Sequence, residues 1–427
     1  MRGPLSERRL LLVIGVVQFV NVLDFMMVLP LGPDFARALA IPASRLGLVA
    51  GSYTAAAALS GILGSLVLDR FDRRTALAVA LGGLVLGTAA GALAASLSSM
   101  LAARLLAGAF GGPTAALSLA VVGDVVPPER RGRAMGAGLG AFAVSSVLGV
   151  PAALELAALG SWRTPFLAVA ALGAAVAASA AILLPPLRHH LEARRGARAS
   201  TGRLLLRPPV ALALLATAAL MTAQFALVPN IAAYWQRNLG YPRERLGLLF
   251  VSGGAASFAG MRVAGRLADR FGSALTTAGA TALYVAVVLA AFVFPAAAPP
   301  ALLLFVGFMV ASSARMVPMQ ALSTRVAEPQ ERARFMSAQS AVQHLGAAAG
   351  AFLGAGMLRE LPDGRLGGID GVAWLAVALA AAVPGLSWLV ESRVRRRDGP
   401  GPEATAVGAV APEERSPRLA VPGRRAG

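Results

Sequence analysis

The 427-residue sequence predicts an all-α membrane protein, twelve transmembrane helices in two pseudo-symmetric six-helix bundles. Three observations predict it: apolar runs of span length, arginines gathered on alternate loops, and a motif that occurs twice. The chain is 57% hydrophobic and 14% charged, where a soluble protein carries about 25% charged residues. Its apolar runs are about twenty residues long, which matches the roughly 30 Å hydrocarbon core at 1.5 Å per helical residue. Backbone polar groups have no partner in lipid, so such runs are helices or strands of a closed barrel. A barrel alternates polar and apolar residues over about ten positions. These runs do not.

The spans are expected at 10–31, 46–67, 75–95, 100–123, 134–157 and 164–184, then at 209–231, 246–267, 274–294, 300–323, 335–358 and 371–391. Met1 to Arg9 is short and basic and leads into span 1 with no small-residue cleavage site, so it reads as an uncleaved first helix. Residues 1–187 form the first bundle, 188–208 a cytoplasmic linker rich in arginine, and 209–391 the second bundle. Residues 392–427 read as a disordered basic tail, with Arg395, Arg396 and Arg397 held near anionic headgroups.

All 39 basic residues are arginine. With both termini cytoplasmic, 28 of them fall in inside segments, 8 in outside loops, and Arg104, Arg262 and Arg315 within spans. That bias fits the positive-inside rule and places the chain in a bacterial inner membrane, N and C termini inside. The same rule accounts for the net charge of +18 without nucleic acid. There is no cysteine, and His189 and His190 stand in a loop beside no acidic cluster, so no metal or cofactor is expected.

The loop after span 2 reads Asp69-Arg70-Phe71-Asp72-Arg73-Arg74, and that after span 8 reads Asp269-Arg270-Phe271-Gly272. Glu129-Arg130 through Met135 after span 4 matches Glu331-Arg332 through Met336 after span 10. Two motif pairs near one offset indicate parallel six-helix repeats, a known transporter architecture. On these residues the sequence resembles the major facilitator superfamily across most of 10–391. It departs from the family at Ser65 and Asp72, where glycine is usual. Arg104-Leu-Leu-Ala-Gly108 resembles the helix 4 motif of proton-coupled members. Gly140 with Gly149-Val150-Pro151 resembles the antiporter motif of drug:proton exporters, with Val150 interrupting the usual Gly-Pro pair. Asn21-Val-Leu-Asp24 with Pro30 resembles the same branch. The resemblance implies that helices 1, 4, 7 and 10 line a central cavity and that 3, 6, 9 and 12 face lipid. Spans 3, 6, 9 and 12 carry no ionisable charge in their cores, which agrees with that plan. It also implies that Asp69, Arg70, Arg73, Arg74, Asp269 and Arg270 gate the cytoplasmic side.

An ionised Asp at mid-bilayer costs about 2.5–3.5 kcal/mol on insertion scales, so Asp24 calls for an explanation. Gln18, Asn21 and Asp24 share a stripe of span 1, about two-thirds of the way along it, and Arg104 lies one turn into span 4. The two can meet. Burial disfavours the carboxylate and a nearby guanidinium favours it, and an acid held between those effects can change protonation as access switches sides. The bland alternative is a structural pair that fixes helix packing.

Expected cavity residues are Asn21, Met27, Met221, Gln224, Asn230, Arg315 and Met319, the methionines offering a soft lining. Arg315 lies deep in span 10 and can meet a polar or anionic substrate group, or a helix C-terminus. Arg262 is expected to snorkel and Tyr234 and Trp235 to stand in an interfacial belt. His344 with Gln339 and Gln343 reads as an interhelical hydrogen-bond partner rather than a ligand. The function expected is efflux of a small amphipathic molecule in exchange for protons, by a monomer in the lipid bilayer. A sugar or other hydrophilic cargo on the same fold and a non-transporting receptor are the alternatives. An intramembrane enzyme is disfavoured, since there is no HExxH and no Cys.

Overall fold

The computed structural model describes residues 7–126, 140–142, 144–185, 187, 204–295, 300–328 and 331–398. Among them the chain forms one helical element per expected span. These are α1 Glu7–Ala38, α2 Leu46–Val67, α3 Arg73–Ala92, α4 Leu97–Val125, α5 Gly140–Leu159 and α6 Arg163–Leu183. The second half gives α7 Pro208–Arg237, α8 Leu246–Phe271, α9 Ser273–Val293, α10 Ala301–Val326, α11 Arg332–Met357 and α12 Ile369–Asp398. Eleven are long and apolar enough to cross a membrane. The exception is α11, diluted by Gln339, Gln343 and His344. One element was not expected: a two-stranded antiparallel hairpin, β1 Arg359–Glu360 and β2 Leu366–Gly367, between α11 and α12. Gly364 and Gly368 flank β2 at φ +80° and +83°, a region that favours glycine.

Prolines shape the helices without ending them. Pro30 and Pro33 lie inside α1, which runs to Ala38 rather than stopping at 31. Asp24 therefore stands near the helix midpoint, not towards its outer end. In α5 the helix widens into a π turn at Ser145–Gly149, immediately before Val150 and Pro151. Pro151 has no N–H for the carbonyl one turn back, and a π bulge absorbs that loss. Pro229 interrupts α7 with a 3-10 turn at Val228–Asn230, and the helix resumes at Ile231.

The end of α12 corrects the expected tail. The helix continues past Glu391 to Asp398. Glu391 accepts from Arg395 at 2.6 Å and from the Ala274 amide at 2.6 Å, which caps α9. Arg397 donates to the carbonyls of Arg325 (2.7 Å) and Val326 (3.2 Å), satisfying acceptors that the end of α10 leaves open. This arginine closes a neighbouring helix instead of reaching for headgroups. Residues 399–427, most of the linker and the Glu129–Met135 motif lie outside the described residues.

In the first half, α4 packs on α2 and α3, α3 on α6, and α1 on α4, α5 and α6. In the second, α7 packs on α11 and α12, α10 on α8 and α9, and α9 on α12. The two halves meet along α2–α11 and α5–α8, the same contact counted twice under a shift of six helices. Small residues permit the approach. A Cβ on Gly47 of α2 would stand 2.5 Å from the Ala351 carbonyl oxygen of α11.

The face that holds the start of α1 and the end of α12 is called terminal here, and the opposite face distal. There an ion pair and a hydrogen bond join the halves. Arg243, before α8, holds Asp34 of α1 by Nε at 2.9 Å to both oxygens and by Nη2 at 2.6 Å. Glu360 of the hairpin accepts from the Ala43 amide at 2.9 Å and from Arg237 at 2.5 Å. Partial burial raises the Glu360 carboxyl, but the Ala43 amide and the Arg237 guanidinium outweigh it and hold the group below its ordinary 4.5.

Candidate functional site

The first six helices converge on Asp24 and Arg104, which are 0% and 1% exposed. Asp24 comes from the middle of α1. Arg104 stands two turns into α4, whose start is fixed by a capping box of Ser96 and Ser99. Arg104 Nη1 lies 3.2 Å from Asp24 Oδ2 and 3.4 Å from Oδ1, and Nη2 lies 3.4 Å from Oδ1. The Thr88 hydroxyl of α3 completes the group, 2.7 Å from Asp24 Oδ1 and 2.8 Å from the Leu84 carbonyl. Thr88 has one proton for those two acceptors. It donates to Asp24 when the acid is ionised. When the acid is protonated, Asp24 donates to Thr88 and the hydroxyl turns to Leu84.

Aromatic rings wall the pair. The Arg104 Cζ is 5.4 Å from the Phe166 ring centroid on α6 and 5.9 Å from that of Tyr53 on α2. Tyr53 donates to Asn21 Oδ1 at 3.4 Å, one turn before Asp24. Glycines make the room. A Cβ at Gly108 would lie 2.2 Å from the Tyr53 carbonyl oxygen, and one at Gly111 would lie 2.2 Å from its hydroxyl. Gly149 abuts Leu23, beside the acid, where a Cβ would sit 2.7 Å from Cδ1. Gly140, its companion in the expected motif, has nothing within 4 Å of such a Cβ.

Phe25 continues outward from the pair, its ring 5.2 Å from Tyr53 and 5.9 Å from Phe225 of α7. That contact bridges the two halves. Asn21, 7% exposed, is bound to Tyr53, and Gln224 is half-buried with its carbonyl oxygen unpartnered. Asn230 is fully buried in the α7 turn that touches α1 and α2, and neither of its amide atoms has a partner. Arg315 is fully buried against Tyr284.

Other expectations are corrected. Met27, Met221 and Met319 are buried in the cores, at 0%, 6% and 4% exposed, because their helix faces turn inward. Met26, Met309 and Met316 are half-buried. Tyr234 and Trp235 form no interfacial belt. They are buried, donating to the carbonyls of Ala291 (2.7 Å) and Ala301 (2.9 Å) amid Phe292 and Phe305. His344 bonds within its own helix, its Nδ1 2.8 Å from the Ser340 carbonyl oxygen, whereas Gln339 donates across to Ser323 at 2.8 Å. Arg262 is exposed and stacks on Phe258.

At the terminal face, Asp72 caps α3, accepting from the Arg74 amide at 2.9 Å and the Leu187 amide at 3.2 Å. Arg73 pairs with Asp124 at the end of α4 (3.3 Å), and Arg74 donates to the Ala181 carbonyl. Arg70, Asp269 and Arg270 are exposed, and Arg270 stacks on Phe271. The Asp69 side chain lies outside the described residues.

Comparison with known proteins agrees with this architecture. The family model of the Major Facilitator Superfamily matches residues 14–314 and 213–421. A chloramphenicol resistance protein of Streptomyces lividans is 32% identical over 260 residues, 57% of this chain and 62% of that protein. The inner membrane transport protein YdhP of Escherichia coli K12 is 28% identical over 246 residues, 56% of this chain and 62% of its own. The chain thus spans somewhat under two-thirds of the length of these relatives. A bacterial homologue of the human lysosomal transporter Spinster, in an inward-facing and unoccupied conformation, superposes with TM-score 0.70 at 19% identity, covering 94% of this chain and 100% of that one. A D-xylose-proton symporter superposes with TM-score 0.69 at 17% identity, covering 88% and 96%. Those likenesses concern the fold. With a family model matched along nearly its whole length, the chain belongs to the Major Facilitator Superfamily of membrane transporters.

Proposed function

We propose that this transporter is a proton-coupled exporter of small amphipathic molecules, working by alternating access between its two six-helix halves. One observation carries the reading: a fully buried carboxylate held by a fully buried guanidinium and a hydroxyl that can serve either protonation state. Each charge alone is expensive at this depth. Paired, they stabilise one another, and a proton arriving at Asp24 releases Arg104 and weakens the contact between α1 and α4. Proton binding is thereby linked to helix rearrangement. The pair is sealed in the present state, so proton exchange belongs to a state in which α1 and α4 admit water.

The distal ion pair and the α2–α11 contact near Gly47 support assignment of this state as closed on the distal side. With 28 arginines on the face of the termini, the distal side is the periplasm and the chain sits in the inner membrane with both ends inside. Asp72, Arg73 and Arg74 then stitch the terminal face within the first half, and with Asp69, Arg70, Asp269 and Arg270 they form the cytoplasmic gate. The cargo binds between the halves, near Phe25, Phe225, Gln224 and Asn230. The protein acts as a monomer.

The relative named for chloramphenicol resistance makes chloramphenicol the first compound to test. In proteoliposomes, an imposed pH gradient should drive movement of chloramphenicol or another amphipathic compound of a panel against its own gradient. Flux of every compound that ignores the pH gradient would overturn the proposal.

A further inference from the structure

Each half of the transporter buries one arginine in its fourth helix, and only one of them has an acid. Arg104 on α4 holds Asp24. Arg315, near the midpoint of α10, is 0% exposed, and none of its Nε, Nη1 and Nη2 atoms makes a well-formed hydrogen bond, its interaction being with the Tyr284 side chain. Its Cζ lies 3.5 Å from the centroid of the Tyr284 ring on α9. Tyr284 is fixed there by donating to the Ala223 carbonyl of α7 at 3.1 Å.

A guanidinium lying on a ring keeps its donors in its own plane, at the rim of the contact, where they remain available. The ring face offsets only part of the cost of burying the charge. The elements packed on α10 are α7, α8, α9 and α12. Their charged residues are Arg237 on α7, Arg262, Arg266, Asp269 and Arg270 on α8, and Asp370, Glu391, the Arg393–Arg397 run and Asp398 on α12. The acids among them lie at helix ends; Asp269 is exposed, and Glu391 is engaged by Arg395 and Ala274. Thr281, one turn before Tyr284, and Ser312, one turn before Arg315, are also buried with unpartnered hydroxyls.

We infer that Arg315 is the receptor for an anionic group, a carboxylate or comparable oxyanion, carried on the transported molecule. The two oxygens of such a group match the planar fork of a guanidinium, and charge-assisted bonds of that kind are the strong ones. The hydroxyls of Ser312 and Thr281 stand within a turn as further donors. The ligand supplies in the second half what Asp24 supplies in the first. Since the guanidinium is enclosed here, the anion enters in another state and is held out of water when the helices re-close. This names the substrate class of the proposed transporter and rests on that reading.

The test is binding to the full chain in nanodiscs at pH 7, followed by tryptophan fluorescence, with 2-naphthoate against its neutral counterpart 2-naphthamide. The wild-type protein should bind the naphthoate about ten-fold tighter or more, the scale of a hydrogen-bonded charge. Arg315→Gln should lose that preference while keeping its affinity for the amide, Arg315→Lys should keep part of it, and Asp24→Asn should keep it whole. Equal wild-type affinities, or a preference that survives Arg315→Gln, would overturn the inference; the wild-type and lysine measurements decide if the glutamine variant does not fold. Inorganic phosphate that competes as tightly as naphthoate through Arg315 would also overturn it, marking a site for a small ion. An Arg315-dependent preference without any pH-driven flux would sink the proton-coupling reading and leave Arg315 as the receptor for an anionic group. Flux without the preference would do the reverse.

Discussion

Arg243→Gln removes the bond that fastens α8 to α1 across the distal face, and its effect can be sized from the geometry. The pair makes three contacts between 2.6 and 2.9 Å, with side chains 22% and 15% exposed. Exposed pairs contribute about 0.2–1 kcal/mol, and bidentate charge-assisted contacts that are mostly withdrawn from water contribute more, about 1–2 kcal/mol. If the pair exists only in the distal-closed state, its loss raises the open fraction by about 5- to 30-fold. The chain has no cysteine, so Ala351→Cys provides a reporter without background. Ala351 is 0% exposed, and its carbonyl abuts Gly47 across the interface. Labelling of that thiol by a membrane-impermeant maleimide should accelerate by the same factor in Arg243→Gln and in Asp34→Asn. The double variant should be no faster than the single ones. Rates within about two-fold of the parent in both single variants would refute the idea that this pair holds the face shut, because the closed state would then be no more stable with the pair than without it.

Thr88→Val keeps the shape of the side chain and removes the hydroxyl that serves Asp24. Flux driven by a pH gradient should fall about ten-fold, the worth of one hydrogen bond to a charge, while exchange without a gradient persists; equal loss of both would mark Thr88 as a packing residue only. The Glu360 clasp predicts a second pH effect. Its carboxyl is held below 4.5 in the closed state by Ala43 and Arg237, so its contribution is complete above the ordinary glutamate value and disappears as pH falls through the lowered one. The rate of Ala351→Cys labelling, divided by the thiolate fraction at each pH, should stay flat down to that range and rise below it, and Glu360→Gln should abolish the rise; an unaltered profile in the variant would assign the effect to other groups.

The twelve helices were legible because lipid leaves the backbone no alternative. Asp24 and Arg104 were legible because a charge inside an apolar run needs a partner, and the two lie where their helices can meet. Thr88 was not, since a threonine in a span ordinarily bonds to its own helix, as Thr88 also does to Leu84. A usable signal existed in the tyrosines. The chain has four, and Tyr53 and Tyr284, both within spans, lie against Arg104 and Arg315. The methionine lining failed because spacing fixes which residues share a helix face but not which way that face turns once neighbours pack. Tyr234 and Trp235 sit where a belt is expected, and the kink at Pro229 turns them inward instead. The distal clasp was beyond the sequence. It joins Asp34 to Arg243 and Ala43 to Glu360, residues far apart in the chain that only the docking of the two halves brings together.

The central claim is that Asp24 carries the coupled proton, and Asp24→Asn tests it most directly. Asparagine keeps the size of the side chain and stands in for the protonated acid, but cannot exchange a proton. In proteoliposomes the wild-type chain should concentrate a transported compound under a pH gradient, and Asp24→Asn should equilibrate it at a comparable rate without concentrating it. Accumulation by Asp24→Asn equal to that of the wild type would contradict the account.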